Sequence, residues 1–201
     1  SCVGLPLGEE IEADIPSDVY YACLDGNFNE DEDERWGENS TGNEHGFEEA
    51  DLFSEIWVGR VCADSEQEIK NFTRKSISYE ESEGSIEILL VGEYLGFGGI
   101  ADWGGNYMDE IEDLIPSYFN ITTLYDRDGY WHKEELISLL NRGCNIVNHL
   151  GHGWTTHALK MGNSDLENLQ NKEYFFLYSQ TCLAGSFDNA YPYGNGYAYY
   201  A

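Results

Sequence analysis

Apolar stretches alternate along the chain with amphipathic stretches from about residue 55 onward. Short runs rich in Ile, Val, Leu and aromatic residues, bounded by Gly, Asn or charged residues, are typical of buried strands. Stretches in which apolar residues recur every three or four positions are typical of helices. The predicted strands cover residues 18–23, 55–61, 85–92, 121–125, 144–150 and 174–181, and the predicted helices cover residues 64–80, 108–115, 133–142 and 165–170.

The order of these elements predicts an α/β fold. Strands that alternate with helices form right-handed crossovers, which give a mainly parallel central sheet with helices on both faces. At 201 residues the chain is long enough for one domain with a substantial core, or for one domain plus a lobe. We divide the sequence into an acidic, loop-rich segment over residues 1–54, an α/β domain over residues 55–190, and a Tyr/Gly-rich tail over residues 191–201.

The charge of the chain is strongly negative and restricts the possible partners. It carries 38 acidic residues against 10 Lys and Arg, which gives a formal net charge of −28. Such a polyanion is repelled by nucleic acid and by anionic lipid, so neither is an expected partner. No apolar run approaches the roughly 18 residues that a membrane span needs. The acidity suits a calcium-rich or saline exterior, and we expect a secreted or cell-surface protein.

Five cysteines are present, and none of them forms a CxxC pair. This spacing argues against a zinc ribbon and against a thioredoxin-type site. If the protein is secreted, the four cysteines other than Cys182 can form up to two disulfides. They lie at positions 2, 23, 62 and 144.

A histidine and a cysteine follow two consecutive predicted strands. His152 comes after the strand over 144–150, and Cys182 comes after the strand over 174–181. Thirty residues separate the two, about the length of one strand–helix–strand crossover. Neighbouring parallel strands lie about 4.8 Å apart and end at the edge where α/β sheets bind ligands. The sequence therefore predicts a cysteine nucleophile beside a histidine base.

The residues around this pair fit a reactive site better than a packing site. A lone cysteine at the end of a buried strand is more often a small core residue than a nucleophile. Here the small residues over 184–186 leave room for a substrate backbone, and Gly151 and Gly153 flank His152. The backbone N–H groups of Gly153 and Cys182 are the candidate oxyanion donors. His149, on the preceding strand, is predicted to be a core histidine.

Three motifs resemble those of the gingipain family of cysteine endopeptidases, which belongs to the caspase-like clan. They are EIWVGR at 55–60, GHG at 151–153 and QTC at 180–182, and the resemblance covers about residues 15–189. It implies a caspase-like three-layer sandwich that is incomplete at both ends of this chain. It also implies an endopeptidase that forms a thioester on Cys182, with His152 as general base and acid. The implied partners are protein or peptide substrates and further domains or chains of the same precursor.

The same resemblance assigns roles to residues around the pair. Glu93 is expected to lie beside His152 and to orient it, although a solvated carboxylate at a strand end is an equal alternative. Asp109 is expected in the primary specificity pocket, and the alternative is an acid that meets the dipole at a helix start. Gly151, Gln180 and Thr181, which adjoin the pair in sequence, are the other candidate substrate-binding residues.

An alternating series of oxygen-bearing side chains predicts a calcium site. It consists of Asp25, Asn27, Asn29, Asp31 and Asp33. Hard oxygen ligands that alternate along a tight turn are typical of calcium loops, although the bidentate Glu that an EF-hand has at its twelfth position is replaced by Trp36. The resemblance also implies structural calcium. The alternative is a solvated acidic loop.

A second function class stays open on the sequence. The chain could be a non-catalytic, calcium-stabilised module of a secreted surface or adhesion protein that keeps the peptidase fold. The flanking strands that the resemblance implies but the chain lacks favour this alternative. The intact pair of His152 and Cys182 favours the endopeptidase.

Overall fold

A computed structural model describes residues 18–30, 32, 36, 53–82 and 86–187. The chain divides into two compact units, residues 1–61 and 62–201. The predicted tail over 191–201 and the predicted calcium ligands Asp31 and Asp33 lie outside the described residues, as does Cys2. None of the helices in the described ranges is long and apolar enough to cross a membrane.

The described part of the first unit contains a short helix instead of the two predicted strands. Helix α1 spans Val19–Ala22, so the strand predicted over 18–23 is wrong. Residues 55–61 form no strand either, and the Trp57 side chain in this run is fully exposed. Neither run pairs with another strand among the described residues, and a strand is stable only beside another one. The aromatic ring of Tyr20 packs instead, edge to face, against those of Phe28 and Trp36.

The second unit contains the predicted alternation of helices and strands. Ser65 caps its first helix by accepting a hydrogen bond from the Glu68 N–H, as the sequence predicted. The elements, in chain order, are α2 Glu66–Glu81, β1 Glu87–Gly92, a 3-10 helix Gly99–Asp102, α3 Gly104–Glu112, β2 Asn120–Tyr125, α4 Lys133–Arg142, β3 Ile146–Leu150, β4 Gly153–Trp154, β5 His157–Ala158, β6 Met161–Gly162, α5 Asn163–Glu167 and β7 Phe176–Gln180.

Helix α3 begins four residues earlier than the sequence predicted, at two glycines that disfavour a helix by their intrinsic propensity. Tertiary packing explains the difference. A Cβ on Gly104 would lie 2.5 Å from the carbonyl oxygen of Leu150, and one on Gly105 would lie 2.8 Å from the Tyr125 ring. The glycines therefore let the first turn of α3 pack directly on the sheet.

Four strands form a parallel sheet in the order β2-β1-β3-β7, which confirms the predicted central sheet. The chain passes from β1 to β2 on one side of β1 and returns to β3 on the other side. This reversal makes a topological switch point at the carboxyl ends of β1 and β3. Open α/β sheets bind their ligands in the crevice at such a point.

Side chains of alternate residues in the strands pack on two helical layers. On one face Ile88 and Leu90 contact Met108 of α3. On the other face Leu89, Val91 and Val147 pack with two buried leucines of α4, Leu136 and Leu140. The sheet therefore lies between two helical layers, as a caspase-like sandwich requires.

The connection from β3 to β7 begins with a small antiparallel sheet, β4-β5-β6. Leu159 and Lys160 turn the chain between β5 and β6 with φ of 59° and 56°, a conformation uncommon outside glycine. The Lys160 ammonium lies 2.6 Å from the Asp126 carboxylate and donates a 3.0 Å hydrogen bond to the Trp131 carbonyl. These contacts hold the turn against the end of β2.

Candidate active site

The register of β3 and β7 brings His152 and Cys182 to the same edge of the sheet. Leu150 pairs with Gln180 as the last rung of the two strands, and each candidate residue lies two positions beyond it. The Gly151 N–H donates a 3.2 Å hydrogen bond to the Gln180 carbonyl, which extends the pairing past the strands. Both candidate side chains are exposed to solvent.

The two turns that follow these strands are in direct contact at Gly153. A Cβ on Gly153 would lie 2.5 Å from Thr181 Oγ1 and 2.9 Å from the Cys182 carbonyl oxygen. The backbone at Gly153 thus lies so close to Thr181 and Cys182 that a residue with a Cβ would not fit there. Beyond the thiol, Leu183 has a φ of 54° and the Ala184 N–H donates back to the Cys182 carbonyl.

The His152 ring makes a hydrogen bond that assigns its tautomer. Its Nε2 lies 2.8 Å from the backbone carbonyl oxygen of Tyr94. A carbonyl oxygen only accepts hydrogen bonds, so Nε2 carries the hydrogen and the neutral ring has its lone pair on Nδ1. The atom that can accept a proton from a substrate or a thiol is therefore Nδ1.

Glu93 follows β1 and lies buried beneath the His152 turn, with 4% of its surface exposed. One carboxylate oxygen accepts the backbone N–H of His152 at 3.3 Å, and the other lies 2.9 Å from Nε2 of His149. Glu93 thus contacts the backbone of His152, whereas its side-chain partner is a second histidine. Glu93 therefore lies beside His152, and the contact that it makes there is with the main chain.

His149 was predicted to be a core residue, and it is fully buried. Its two ring nitrogens are both engaged: Nε2 lies 2.9 Å from Glu93, and Nδ1 lies 2.9 Å from Ser179 Oγ. Gly151 makes room for this arrangement, because a Cβ there would lie 2.5 Å from the Glu93 carboxyl carbon. The sequence signal for this network was the polar residue inside an apolar strand.

A cavity of about 520 Å³ opens on the α3 face beside the last rung of β3 and β7. Its lining is mainly apolar, and Glu110 is the acidic residue among the lining residues. The buried Met108 lines it, as do the exposed side chains of Phe97 and Leu114. The remaining lining residues are Leu95, Ala101, Tyr107, Ile111, Leu150 and Gln180.

Asp109, the predicted specificity residue, is not among the residues that line this cavity. Its carboxylate accepts a 2.6 Å hydrogen bond from Nη1 of Arg127, whose Nε also contacts Asp128 at 3.0 Å. The hydrogen bond to Asp109, followed by that to Asp128, raises the pKa of the Arg127 guanidinium. Asp109 is therefore neutralised by a neighbour within its own fold.

A second cavity, of about 320 Å³, lies beside the candidate base. It is bounded by Glu93 and His152 and by residues of the small antiparallel sheet. The lining residues from and around that sheet are Gly153, Trp154, His157, Ala158 and Lys160.

The predicted calcium ligands are described only in part. The ligand atoms of Cys23, Asp25 and Glu55 lie within 4.8 Å of one another. The Asn27 side-chain oxygen accepts the backbone N–H of Asn29 at 3.2 Å, so it is engaged in a local turn. Two carboxylates suit calcium, which prefers oxygen ligands, whereas a thiol does not.

The four cysteines within the described ranges form no disulfide with one another. Cys23 and Cys144 are buried, whereas Cys182 is exposed. Burial raises the pKa of the Cys144 thiol to about 11. At neutral pH that thiol is protonated and unreactive.

Three comparisons with known proteins agree on one family. The model of peptidase family C25 matches residues 5–196. Gingipain R2 and gingipain R1 of Porphyromonas gingivalis are each 25% identical over 150 residues, which is 68% of this chain. The chain spans only 20% of the length of gingipain R2 and 15% of that of gingipain R1.

The fold has a solved counterpart. The crystal structure of the Arg-specific cysteine proteinase gingipain R superposes with a TM-score of 0.60 at 19% sequence identity. The match covers 75% of this chain and 36% of that structure. The predicted fold class is therefore confirmed.

Proposed function

Because the chain belongs to peptidase family C25, we propose that it is a cysteine endopeptidase with Cys182 as nucleophile and His152 as general base and acid. The observation that supports this assignment most directly is the shared position of the two residues, each two positions past the paired residues Leu150 and Gln180. Their turns touch at Gly153, and both side chains are open to solvent.

The first half of the proposed reaction is acylation. The Cys182 thiol gives its proton to His152 Nδ1, and the sulfur attacks the carbonyl carbon of the scissile peptide bond. The backbone N–H groups of Gly153 and Cys182 stabilise the resulting oxyanion. The His152 imidazolium then gives its proton to the leaving nitrogen, the carbon–nitrogen bond breaks, and a thioester on Cys182 remains.

The second half is hydrolysis of the thioester. Water loses a proton to His152 Nδ1 and attacks the thioester carbonyl, and the carbon–sulfur bond breaks. The proton returns to the sulfur, and the product leaves as a carboxylic acid that ionises in water. Throughout both halves, the bond from Nε2 to the Tyr94 carbonyl keeps the ring oriented and stabilises the imidazolium.

The substrate is proposed to lie along the edge formed by Gly151, Gln180 and Thr181. The cavity beside Gln180 would receive the side chain that precedes the scissile bond. Asp109, to which the resemblance gave this role, is paired with Arg127, so Glu110 is the better candidate for the acidic residue that meets a basic substrate.

Replacement of the nucleophile tests the assignment. Cys182→Ala should abolish cleavage of a peptide library and should change the melting temperature little, since the side chain is exposed. Labelling by a peptidyl acyloxymethyl ketone should modify Cys182 in the wild type and should fail in His152→Ala. Cleavage that persists in Cys182→Ala would refute the mechanism.

The alternative is the non-catalytic module of a surface or adhesion protein. This alternative stays open because the chain covers only 20% of the length of gingipain R2. It predicts that the wild-type thiol reacts no faster with the acyloxymethyl ketone than Cys182 does in His152→Ala. A His152-dependent adduct would exclude it.

Structural calcium is part of the proposal. Asp25 would hold the ion with Asn27, Asn29, Asp31 and Asp33, and the proximity of the Glu55 carboxylate to Asp25 supports a cation there. A ligand at 100 times its dissociation constant adds about 2.7 kcal/mol to the free energy of unfolding. Calcium should therefore raise the melting temperature of the wild type at fixed ionic strength and not that of Asp25→Ala. An equal response of both proteins would leave only a solvated loop.

We place the protein outside the cell or on its surface, with protein or peptide substrates and with further domains of the same precursor as partners. The net charge of −28 supports the place outside the cell, and the greater length of the relatives supports further domains. Fractionation of the native source with an antibody to residues 87–187 would test it.

A further inference from the structure

We propose that His149 is a positioning residue, which acts through Glu93 to fix the backbone of the turn that carries His152. The inference deepens the proposed function and rests on it. His149 is fully buried and lies inside β3, so it does not touch the substrate.

The hydrogen bonds of this network have defined directions. As a carboxylate, Glu93 only accepts, so it receives hydrogens both from the ring of His149 and from the backbone of His152. Nε2 of His149 therefore carries a hydrogen. The other ring nitrogen faces the hydroxyl of Ser179, which can donate or accept as the ring requires.

The network links the strand of the nucleophile to the turn of the base. Ser179 lies in β7, three residues before Cys182. From Ser179 the contacts pass through His149 to Glu93 and end on the main chain of His152. We therefore expect a shift of the imidazole of His149 to move the carboxylate that accepts the His152 N–H.

Burial makes this link stiff. Glu93 and His149 expose 4% and none of their surfaces, and a buried carboxylate without partners is costly. The carboxyl group of Glu93 also packs against Gly151, where an added Cβ would lie 2.5 Å from the carboxyl carbon. It therefore has no room to move in that direction. The carboxylate therefore keeps one position as long as His149 is present.

Two substitutions at this position separate positioning from packing. His149→Phe fills the site without a hydrogen-bond donor, whereas His149→Gln keeps an N–H donor. The control is Val147→Ala, a fully buried position on the same face of β3 whose side chain carries no polar group. It weakens the core without removing a hydrogen bond.

The first measurement is hydrogen exchange at the backbone amide of His152, which does not depend on activity. His149→Phe should accelerate exchange there about tenfold relative to neighbouring amides, because Glu93 then shifts and the His152 N–H loses its hydrogen bond to this charged acceptor. His149→Gln should exchange like the wild type. Val147→Ala should change His152 no more than its neighbours. Unchanged exchange in His149→Phe would overturn the proposal.

The second measurement is peptide hydrolysis. A displacement of about 1 Å at a reacting group costs about 100-fold, so kcat of His149→Phe should fall about 10- to 100-fold with KM within about twofold of wild type. His149→Gln should recover most of the loss. A kcat per folded molecule equal to that of Val147→Ala would overturn the proposal. If the wild type hydrolyses no peptide but the variants show the expected differences in hydrogen exchange, the proposed endopeptidase activity is refuted and the positioning of the His152 turn by His149 is retained.

Ser179→Ala covers the case in which His149→Phe does not fold. It removes one hydrogen bond of His149 and leaves the ring in place. Exchange at the His152 amide should then rise severalfold, and kcat should fall in proportion. A Ser179→Ala protein with wild-type values for both would contradict the proposed link between β7 and the His152 turn.

Discussion

Gly153→Ala tests the closest approach in the candidate site. The added Cβ would lie 2.5 Å from Thr181 Oγ1 and 2.6 Å from Thr181 Cβ, whereas real Cβ contacts do not fall below 3.0 Å. Rotation of the Thr181 side chain cannot relieve a contact with its own Cβ. The two turns must therefore separate by at least about half an ångström. Since about 1 Å costs about 100-fold, the expected loss in kcat is about tenfold or more.

The matched control for this substitution is Gly185→Ala. Gly185 lies in the turn after Cys182, and a Cβ there has no atom within 4 Å in the described structure. Neither glycine has a φ in the left-handed region, so backbone strain does not distinguish the two variants. Overpacking typically costs 1–3 kcal/mol, so the unfolding free energy of Gly153→Ala should be measured beside kcat and the labelling rate of Cys182. If both variants matched the wild type, the two turns would not be packed as described here.

Three further predictions concern groups around the site. Lys160→Met should lower the free energy of unfolding in urea by about 3 kcal/mol, because it leaves the buried Asp126 carboxylate without its cation. Adding Asp126→Asn should recover part of the loss. An unchanged urea midpoint in Lys160→Met would contradict this prediction. Burial raises the pKa of the Cys144 thiol from 9.0 to about 11, so its contribution to stability is present below pH 9 and is lost as the pH rises through 11. In Cys144→Ala the urea midpoint should therefore depend less on pH between 9 and 11. An identical slope in both proteins would refute this prediction. Glu110→Gln should raise KM two- to fivefold for a peptide with Arg before the scissile bond, whereas Asp109→Asn should leave KM unchanged and lower stability. The opposite pattern would show that Asp109, and not Glu110, is the specificity residue.

The parts of the fold that the sequence predicted well depend on strong local signals. The strand over 87–92 is a run of apolar residues, and helix α4 has apolar positions on one face and ends at Gly143. From these elements the parallel sheet followed by general rules of connection. The placement of His152 and Cys182 followed from the same rules, because both residues come directly after a predicted strand.

The wrong strand predictions are two apolar runs that pair with no other strand in the part of the chain that the structure describes. Residues 18–23 and 55–61 have the composition of strands, but a strand is stable only beside another strand. Single-sequence patterns do not show whether such a neighbour exists. The early start of α3 was missed for a related reason, since Gly104 and Gly105 are accommodated by contacts with residues distant in sequence.

The buried network beneath the site shows how far such contacts reach. His149 meets Glu93, 56 positions earlier, and Ser179, 30 positions later. In the sheet register Val91 pairs with His149, and His149 pairs with Ser179. Side chains two positions apart share a face of a strand, so Glu93, two residues beyond Val91, is expected on the face of the other two. Once the register of the three strands is known, the alternation alone predicts that their polar residues meet beneath the candidate base. A polar residue that interrupts an apolar strand near a sheet edge is therefore an argument for a partner on each neighbouring strand.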